Sequence, residues 1–212
     1  MTEFSFSSEQ RLKEISDTRE RALAKARTFI LLLGPSSTGK STLIHEMQPL
    51  MDTKLEYVKP IMTRANRPEE TDKISVSDGE FDAMQSDDAF VVVNNLYGVR
   101  YGTPLHGILE PLAKGDTPIL DYPLATIDKL SRPEYDTLNF YVYPESILAW
   151  TQRMNESGRN TNGRLEAGLD ELASLAIKKF IHPAIDISIV NRDGAAVEAA
   201  RDVVNTFYSV TK

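Results

Sequence analysis

The chain has 212 residues and a formal net charge of -7, from 24 Lys+Arg against 31 Asp+Glu. That length suits one domain with a real core, and the acidic balance argues against a nucleic-acid coat, which needs a basic surface. No cysteine is present, which excludes disulfides and thiolate chemistry, and no apolar run approaches the roughly 20 residues of a membrane span. A soluble, cytoplasmic protein is expected, with neither nucleic acid nor a membrane as partner.

Residues 1–27 hold eleven charged residues, with Leu12, Ile15, Ala22, Leu23 and Ala26 on one helical stripe. This pattern predicts an amphipathic helix packed on the domain or on a second copy of the chain in a homodimer. The domain proper is expected over residues 28–212. It opens with Thr28 to Leu33, TFILLL, a short continuous apolar run ending at Gly34. Such a run reads as a strand covered on both faces, as in a parallel sheet. A helix should begin near Lys40 and stop before Pro49.

Residues 54–103 carry short strand-like pieces, LEYVKPIM, FVVVNN and VRYGT, around one short helix. Ser77 and Glu80 have capping-box spacing, so that helix should start at Ser77. Thr103-Pro104 should open the next helix, with Leu105, Ile108, Leu109 and Leu112 buried, Pro111 kinking it and Gly115 ending it. The strands TPILD (117–121) and LNFYV (138–142) follow. Pro144 should open a helix that Gly158 ends. After the polar loop RNTNGR (159–164), a long helix is expected from Leu165 to Ile181, then the strand DISIV (186–190) and a closing helix after Gly194. Strands alternating with helices define an α/β domain with a mainly parallel sheet flanked by helices.

Residues Gly34 to Ser41, GPSSTGKS, fit G-x-x-x-x-G-K-[ST] and sit between a predicted strand and a predicted helix, where that loop must lie. Gly34 and Gly39 permit the tight path, and the backbone of Ser37, Thr38 and Gly39 would cradle phosphates at the N-terminus of a helix. Lys40 would reach the β- and γ-phosphates, the Ser41 hydroxyl would bind Mg²⁺, and Thr42 would continue the nucleotide-binding set. The ligand implied is a nucleoside triphosphate with Mg²⁺. Base-reading Asn-Lys-x-Asp motifs of GTPases are absent from the sequence.

Arginines concentrate in two further segments, Arg64 and Arg67 in TRANRP and Arg153, Arg159 and Arg164 around the polar loop. Arginine is the side chain for bidentate phosphate contacts. One group can hold an acceptor phosphate while the other closes over the transferring phosphoryl. Asp121 ends the strand TPILD, at the carboxyl edge of the sheet where ligands bind. It can orient Mg²⁺-bound water or an acceptor group, or serve as a helix cap. His45, His106 and His182 have no ligand spacing and read as structural.

Taken in order, FILLLGPSSTGKSTL, TRANRP, VSDGEF, YGVRYGTP, PILD, RMNESGR to RLEAG, and SIVNRD resemble the guanylate kinase family over roughly residues 28–207. The resemblance implies a P-loop kinase with a core, an acceptor-binding insert at about residues 55–103 and a short lid at about 153–164. It further implies that Arg64, Arg67 and Tyr101 hold the acceptor phosphate, with Thr103 beside them, that Arg153, Arg159 and Arg164 are the lid arginines, and that Asn191 lies near the adenine. The guanine-reading positions depart from the family: Pro60, Val92 and Pro123 stand where polar residues are expected, and Lys73 or Ile74 where a tyrosine is. The chain is also similar to ribose 1,5-bisphosphate phosphokinase, through KISVS and Gly98-Val99-Arg100-Tyr101-Gly102. Non-catalytic guanylate kinase-like binding modules are a third resemblance, though those have degraded phosphate loops.

The expected activity is transfer of the γ-phosphate of ATP to the phosphate group of a small phosphorylated acceptor, with relaxed or altered base selectivity. A phosphate monoester is largely a dianion at pH 7, so no general base is expected.

Overall fold

The computed structural model describes residues 28–68, 70–96, 98–158, 163–177 and 182–211, together with Ser7 and Gln10. The predicted N-terminal helix, Arg159 with the adjoining loop to residue 162, and the expected end of the long helix at 178–181 lie outside the described residues.

The apolar run TFILLL forms β1 (Thr28–Leu33), and residues 29–33 are all fully buried. Alternate side chains feed two different cores. Phe29, Leu31 and Leu33 join Trp150, Tyr141 and Leu172 on one face. Ile30 and Leu32 join Leu43, Phe140, Val203 and Phe207 on the other. Five large side chains buried on two faces contribute on the order of 10 kcal/mol of transfer free energy, which makes this strand the centre of the fold.

The main sheet has five strands, in the order β2-β7-β1-β8-β9. These are β2 (Leu55–Tyr57), β7 (Thr117–Tyr122), β1, β8 (Asp136–Pro144) and β9 (Ile187–Asn191). Every pairing among them is parallel. The order reverses at β1, so its carboxyl end opens at a topological switch point, where open α/β sheets bind ligands. Helices α1 (Lys40–Met47) and α6 (Ala196–Thr211) cover one face. Helices α3 (His106–Lys114), α4 (Ile147–Glu156) and α5 (Arg164–Ile177) cover the other.

A second sheet of four strands, β4-β3-β6-β5, stands apart from the first. It comprises β3 (Ile61–Met62), β4 (Ile74–Ser75), β5 (Phe90–Leu96) and β6 (Val99–Pro104), with α2 (Asp78–Ser86) packed against it. The capping box is complete: Glu80 N–H donates to Ser77 Oγ, and Ser77 N–H donates to Glu80 Oε2. Phe81 stacks on Phe90 at 4.7 Å. Gly102 makes room for that ring, because a Cβ there would sit 2.5 Å from Phe90. Arg100 lies over Phe81 and pairs with Asp78 and Asp82, tying β6 to α2.

Two predicted helix starts are corrected. Pro104 ends β6, and α3 begins two residues later at His106. Pro144 likewise ends β8, and α4 begins after Ser146, whose hydroxyl accepts from Ala149 N–H. Proline suits the first turn of a helix, but here each closes a strand, as the last residue of its ladder. Pro111 sits within α3, and Gly115 caps it in the left-handed conformation.

Candidate active site

The chain leaves β1 at Gly34, turns through residues 35–39 and enters α1 at Lys40. Gly34 has φ 128° and Gly39 φ 93°. At Gly39 a Cβ would also stand 2.1 Å from Asn191 Nδ2, so both backbone conformation and space demand glycine there. Lys40 is buried and donates to the carbonyls of Gly34 at 2.7 Å and Pro35 at 2.8 Å. Its ammonium therefore bridges the mouth of the loop. Thr38 is fully buried, and its hydroxyl donates to Pro35 O. It braces the loop from within and does not face the cavities beside it.

The loop is fixed from outside as well. Trp150 Nε1 donates to Ser36 O at 2.7 Å, and Ser37 Oγ lies 3.3 Å from Ser157 Oγ. Trp150 is fully buried and presses on α5, where a Cβ on Gly168 would approach the indole to 2.6 Å. One tryptophan thus registers the phosphate loop against two helices.

Two cavities flank this loop. The first, of about 450 Å³, is lined by Ser37, Gly39, Ser41, Thr42, Arg153 and Asn191 among others. The second, of about 380 Å³, includes Gly34, Tyr57, Tyr101, Thr103, Arg164 and Glu171 in its walls. Ser36, Lys40 and Asp121 line both. The cavities meet where a phosphate-loop lysine and a carboxylate stand together, which is the arrangement for passing a phosphoryl group from one ligand to another.

On the first side, Arg153 projects from α4 and donates from Nε to Asp193 Oδ1 at 2.7 Å, with a weaker contact to Asn191 O. Expected as a lid arginine, it is placed in the wall of this cavity. Asn191 at the end of β9 donates from Nδ2 to Thr38 O, joining the last strand to the loop. Ser41 and Asp121 offer a hydroxyl and a carboxylate to the same space. Hard oxygens of this kind fit Mg²⁺, which takes one or two protein ligands and completes its shell with phosphates and water.

On the second side, the register explains which residues meet. Asn94 pairs with Tyr101 and Val92 with Thr103 across β5 and β6. Asn94, Tyr101 and Thr103 reach the cavity, whereas Val92 is buried and is not among the lining residues. Pro60, Leu96 and Pro123 supply apolar wall, and Lys73 adds a cation. Asn94 Nδ2 donates to Tyr122 OH at 2.9 Å.

Arg64 and Arg67 do not line either cavity. Arg64 makes a two-pronged bond to Glu70, and Arg67 is exposed with its backbone N–H on the same carboxylate. Glu70, and to a lesser extent the nearby Tyr101 of the cavity wall, raise the Arg64 pKa far above the ordinary arginine value. The arginine segment therefore sits beside the cavity, outside its lining.

Sequence reasoning does not reach four residues at or beside the site: Tyr57, Glu70, Tyr141 and Glu171. Tyr57 OH donates to Asp121 Oδ1 at 2.5 Å. Tyr141 OH donates to Glu171 Oε1, also at 2.5 Å, and burial pushes the Glu171 carboxyl up. Both carboxylates of the second cavity are thus capped by a tyrosine hydroxyl. Glu70 had one available signal, its place three residues beyond Arg67. Tyr57 and Glu171 had none without the strand and helix pairings.

The guanylate kinase family model matches residues 25–204. A guanylate kinase from Thermobifida fusca is 32% identical over 172 residues, covering 78% of this chain and 84% of that protein. One from Koribacter versatilis is 30% identical over 184 residues, covering 84% and 77%. The crystal structure of guanylate kinase from Anaplasma phagocytophilum superposes with a TM-score of 0.63 at 19% identity, covering 89% of this chain and 88% of that one; this likeness concerns the fold. With a complete phosphate loop standing between two cavities, the matched span shows that the chain belongs to the guanylate kinase family and is an ATP-dependent phosphotransferase.

Proposed function

We propose that the chain transfers the γ-phosphoryl of ATP to the phosphate of a nucleoside monophosphate, GMP or a close relative, with relaxed base selectivity. The observation that carries this reading is the junction of the two cavities at Lys40 and Asp121. ATP occupies the first cavity, its phosphates on the loop and its adenine near Asn191. The acceptor occupies the second, its phosphate directed toward Tyr101 and the Arg64–Arg67 rim.

Ser41 and Asp121 would hold Mg²⁺ together with the ATP phosphates, and the ion would supply charge neutralisation at the transferring group. Lys40 offsets negative charge on the same phosphates from the loop side. Arg164 lies at the start of α5 in the wall of the acceptor cavity, and in this reading it screens two polyanions as they approach. Such catalysis is alignment and electrostatics, and the dianionic acceptor requires no base.

Pro60 and Pro123 in the acceptor wall, and the withdrawal of Val92 into the core, favour a second reading. They offer no side-chain hydrogen bonds to a base edge, so a phosphorylated sugar such as ribose 1,5-bisphosphate would fit this wall. An ATP-consumption screen with Mg²⁺ against GMP, dGMP, AMP, UMP, CMP, dTMP and ribose 1,5-bisphosphate tests both readings. Turnover with GMP carries the first. Turnover with the sugar bisphosphate alone replaces it by the second.

A further inference from the structure

We propose that Tyr57 is a positioning residue for phosphoryl transfer, holding the Asp121 carboxylate at the partition between the donor and acceptor cavities. This rests on the kinase reading above. It assigns a role to a strand residue outside the phosphate loop and outside both arginine segments.

The placement follows from sheet geometry. Tyr57 pairs with Ile119 in the parallel ladder of β2 and β7. In a strand, residues two apart share a face, so Tyr57, Ile119 and Asp121 project to the same side. A tyrosine is long enough to reach the diagonal neighbour two residues further along the adjacent strand. Its hydroxyl does so, donating to Asp121 Oδ1 at 2.5 Å. The strand order places Asp121 beside the end of β1, in register with Leu32, two residues before Gly34.

The two residues divide the cavities between them. Asp121 lines both, while Tyr57 lines the acceptor cavity alone. The phenol therefore holds Oδ1 from the acceptor side and leaves Oδ2 for the donor side, where Ser41 stands. A charge-assisted bond to a fixed ring restricts the rotation of a carboxylate that would otherwise turn freely about its last torsion. The cost of ordering Asp121 is thus met on folding and not in each catalytic cycle.

The residue pair is tested in the full chain with Tyr57→Phe, which keeps the ring and removes the hydroxyl, and with Asp121→Asn. The substitution at Tyr57 is expected to lower kcat by about 10- to 100-fold, the range seen when partners of metal-ligating groups are removed. Acceptor KM should stay within about 2-fold of the parent value, as an interaction needed mainly in the transition state predicts. Mn²⁺ titrated into the protein–ATP complex and followed by electron paramagnetic resonance should bind about 10-fold more weakly. Adding Tyr57→Phe to Asp121→Asn should cause little further loss, because the two act as one unit.

Unchanged kcat and unchanged Mn²⁺ binding in Tyr57→Phe overturn the proposal. So does a rise in acceptor KM with kcat and Mn²⁺ binding intact, which would make Tyr57 a substrate contact instead. Additive losses in the double variant also overturn it. Failure of the underlying reading looks different: the unsubstituted protein would then consume no ATP with any phosphorylated acceptor.

Discussion

Arg64 and Glu70 face each other through two parallel N–H···O bonds of 2.7 Å each. The same carboxylate accepts the backbone N–H of Arg67 at 3.1 Å, and Lys73 Nζ lies 3.5 Å away. One glutamate thus closes the loop that carries both rim arginines, in the fork geometry that favours arginine over lysine. The Arg64 hydrogen bonds, followed by that from Arg67 N–H, draw the Glu70 carboxyl down to about 2 from an ordinary 4.5.

Arg64→Ala and Arg67→Ala should each raise acceptor KM and leave ATP affinity nearly unchanged, since their segment is separate from the phosphate loop. Calorimetric titration of ATP into both variants checks this. A large loss of ATP affinity would move the arginines to the donor site.

Glu70→Gln should also raise acceptor KM, by about 5- to 10-fold, the scale of one charge-assisted bond that orders a side chain. Its kcat should change less. The Glu70 carboxyl also fixes a pH dependence. Its folded value lies below its unfolded one, so the stabilisation is fully present above about pH 4.5 and is lost as pH falls toward about 2. Screening at the rim reduces its size to on the order of 1 kcal/mol. Urea unfolding midpoints measured between pH 6 and 3 should therefore converge for the parent and Glu70→Gln at the acid end. A gap that widened on acidification would contradict the ion pair as described.

Lys40→Ala should abolish detectable phosphoryl transfer, with a loss of at least ~100-fold in kcat expected when a fixed charge is removed from a developing transition state. The fold should survive, because the core of β1 does not depend on this side chain. Circular dichroism and a coupled assay together make the test. Near-parental turnover by a folded Lys40→Ala protein would remove the kinase reading altogether.

Gly168→Ala tests how the phosphate loop is registered. The added methyl would meet Trp150 at 2.6 Å and Pro35 at 3.1 Å. Trp150 is fully buried and bonded to Ser36 O, so it has nowhere to withdraw. Overpacking of this kind costs about 1–3 kcal/mol, a fall of several degrees in Tm for a domain this size. ATP affinity should fall with it, since the displaced ring carries the loop. A variant as stable as the parent would show that α5 slides freely over the indole.

The core of this fold was legible because its signals are local. A continuous apolar run ending in a phosphate-loop pattern has one reading, and β1 followed by α1 is that reading. Ser77 and Glu80 announced α2 through their own hydrogen bonds. Pro104 and Pro144 misled because proline suits both a helix start and a strand end, and only tertiary pairing decides between them. Site residues divided in the same way. Those within the loop, Lys40 and Ser41, follow from a motif. Tyr57, Asp121 and Glu171 converge only once β2 lies beside β7 and α5 crosses the cavity, relations between segments that no local pattern carries. Arg153 illustrates the limit: sequence marked it as a phosphate-handling arginine, but Asp193, 40 residues further on, sets where it points.

Base selectivity is the sharpest remaining expectation. Guanine presents two donors and an acceptor on its pairing edge, and reading it requires fixed partners, chiefly carboxylates. In the acceptor cavity the carboxylates are Asp121 and Glu171, and each already accepts a tyrosine hydroxyl. Pro60 and Pro123 line the wall without a side-chain donor or acceptor, and Val92 is turned into the core. The Asn94 amide at this surface is engaged with Tyr122, and Tyr101 and Thr103 add hydroxyls to the same wall. A pocket of this kind accommodates a flat ring but discriminates weakly among rings. GMP should therefore be preferred over AMP or dTMP by less than about 100-fold in kcat/KM, the scale of one or two missing hydrogen bonds. Steady-state comparison of the three monophosphates decides it. A preference of thousands for GMP would require Asn94 or Lys73 to read the base, and substituting each by alanine would then collapse that preference while leaving AMP turnover in place.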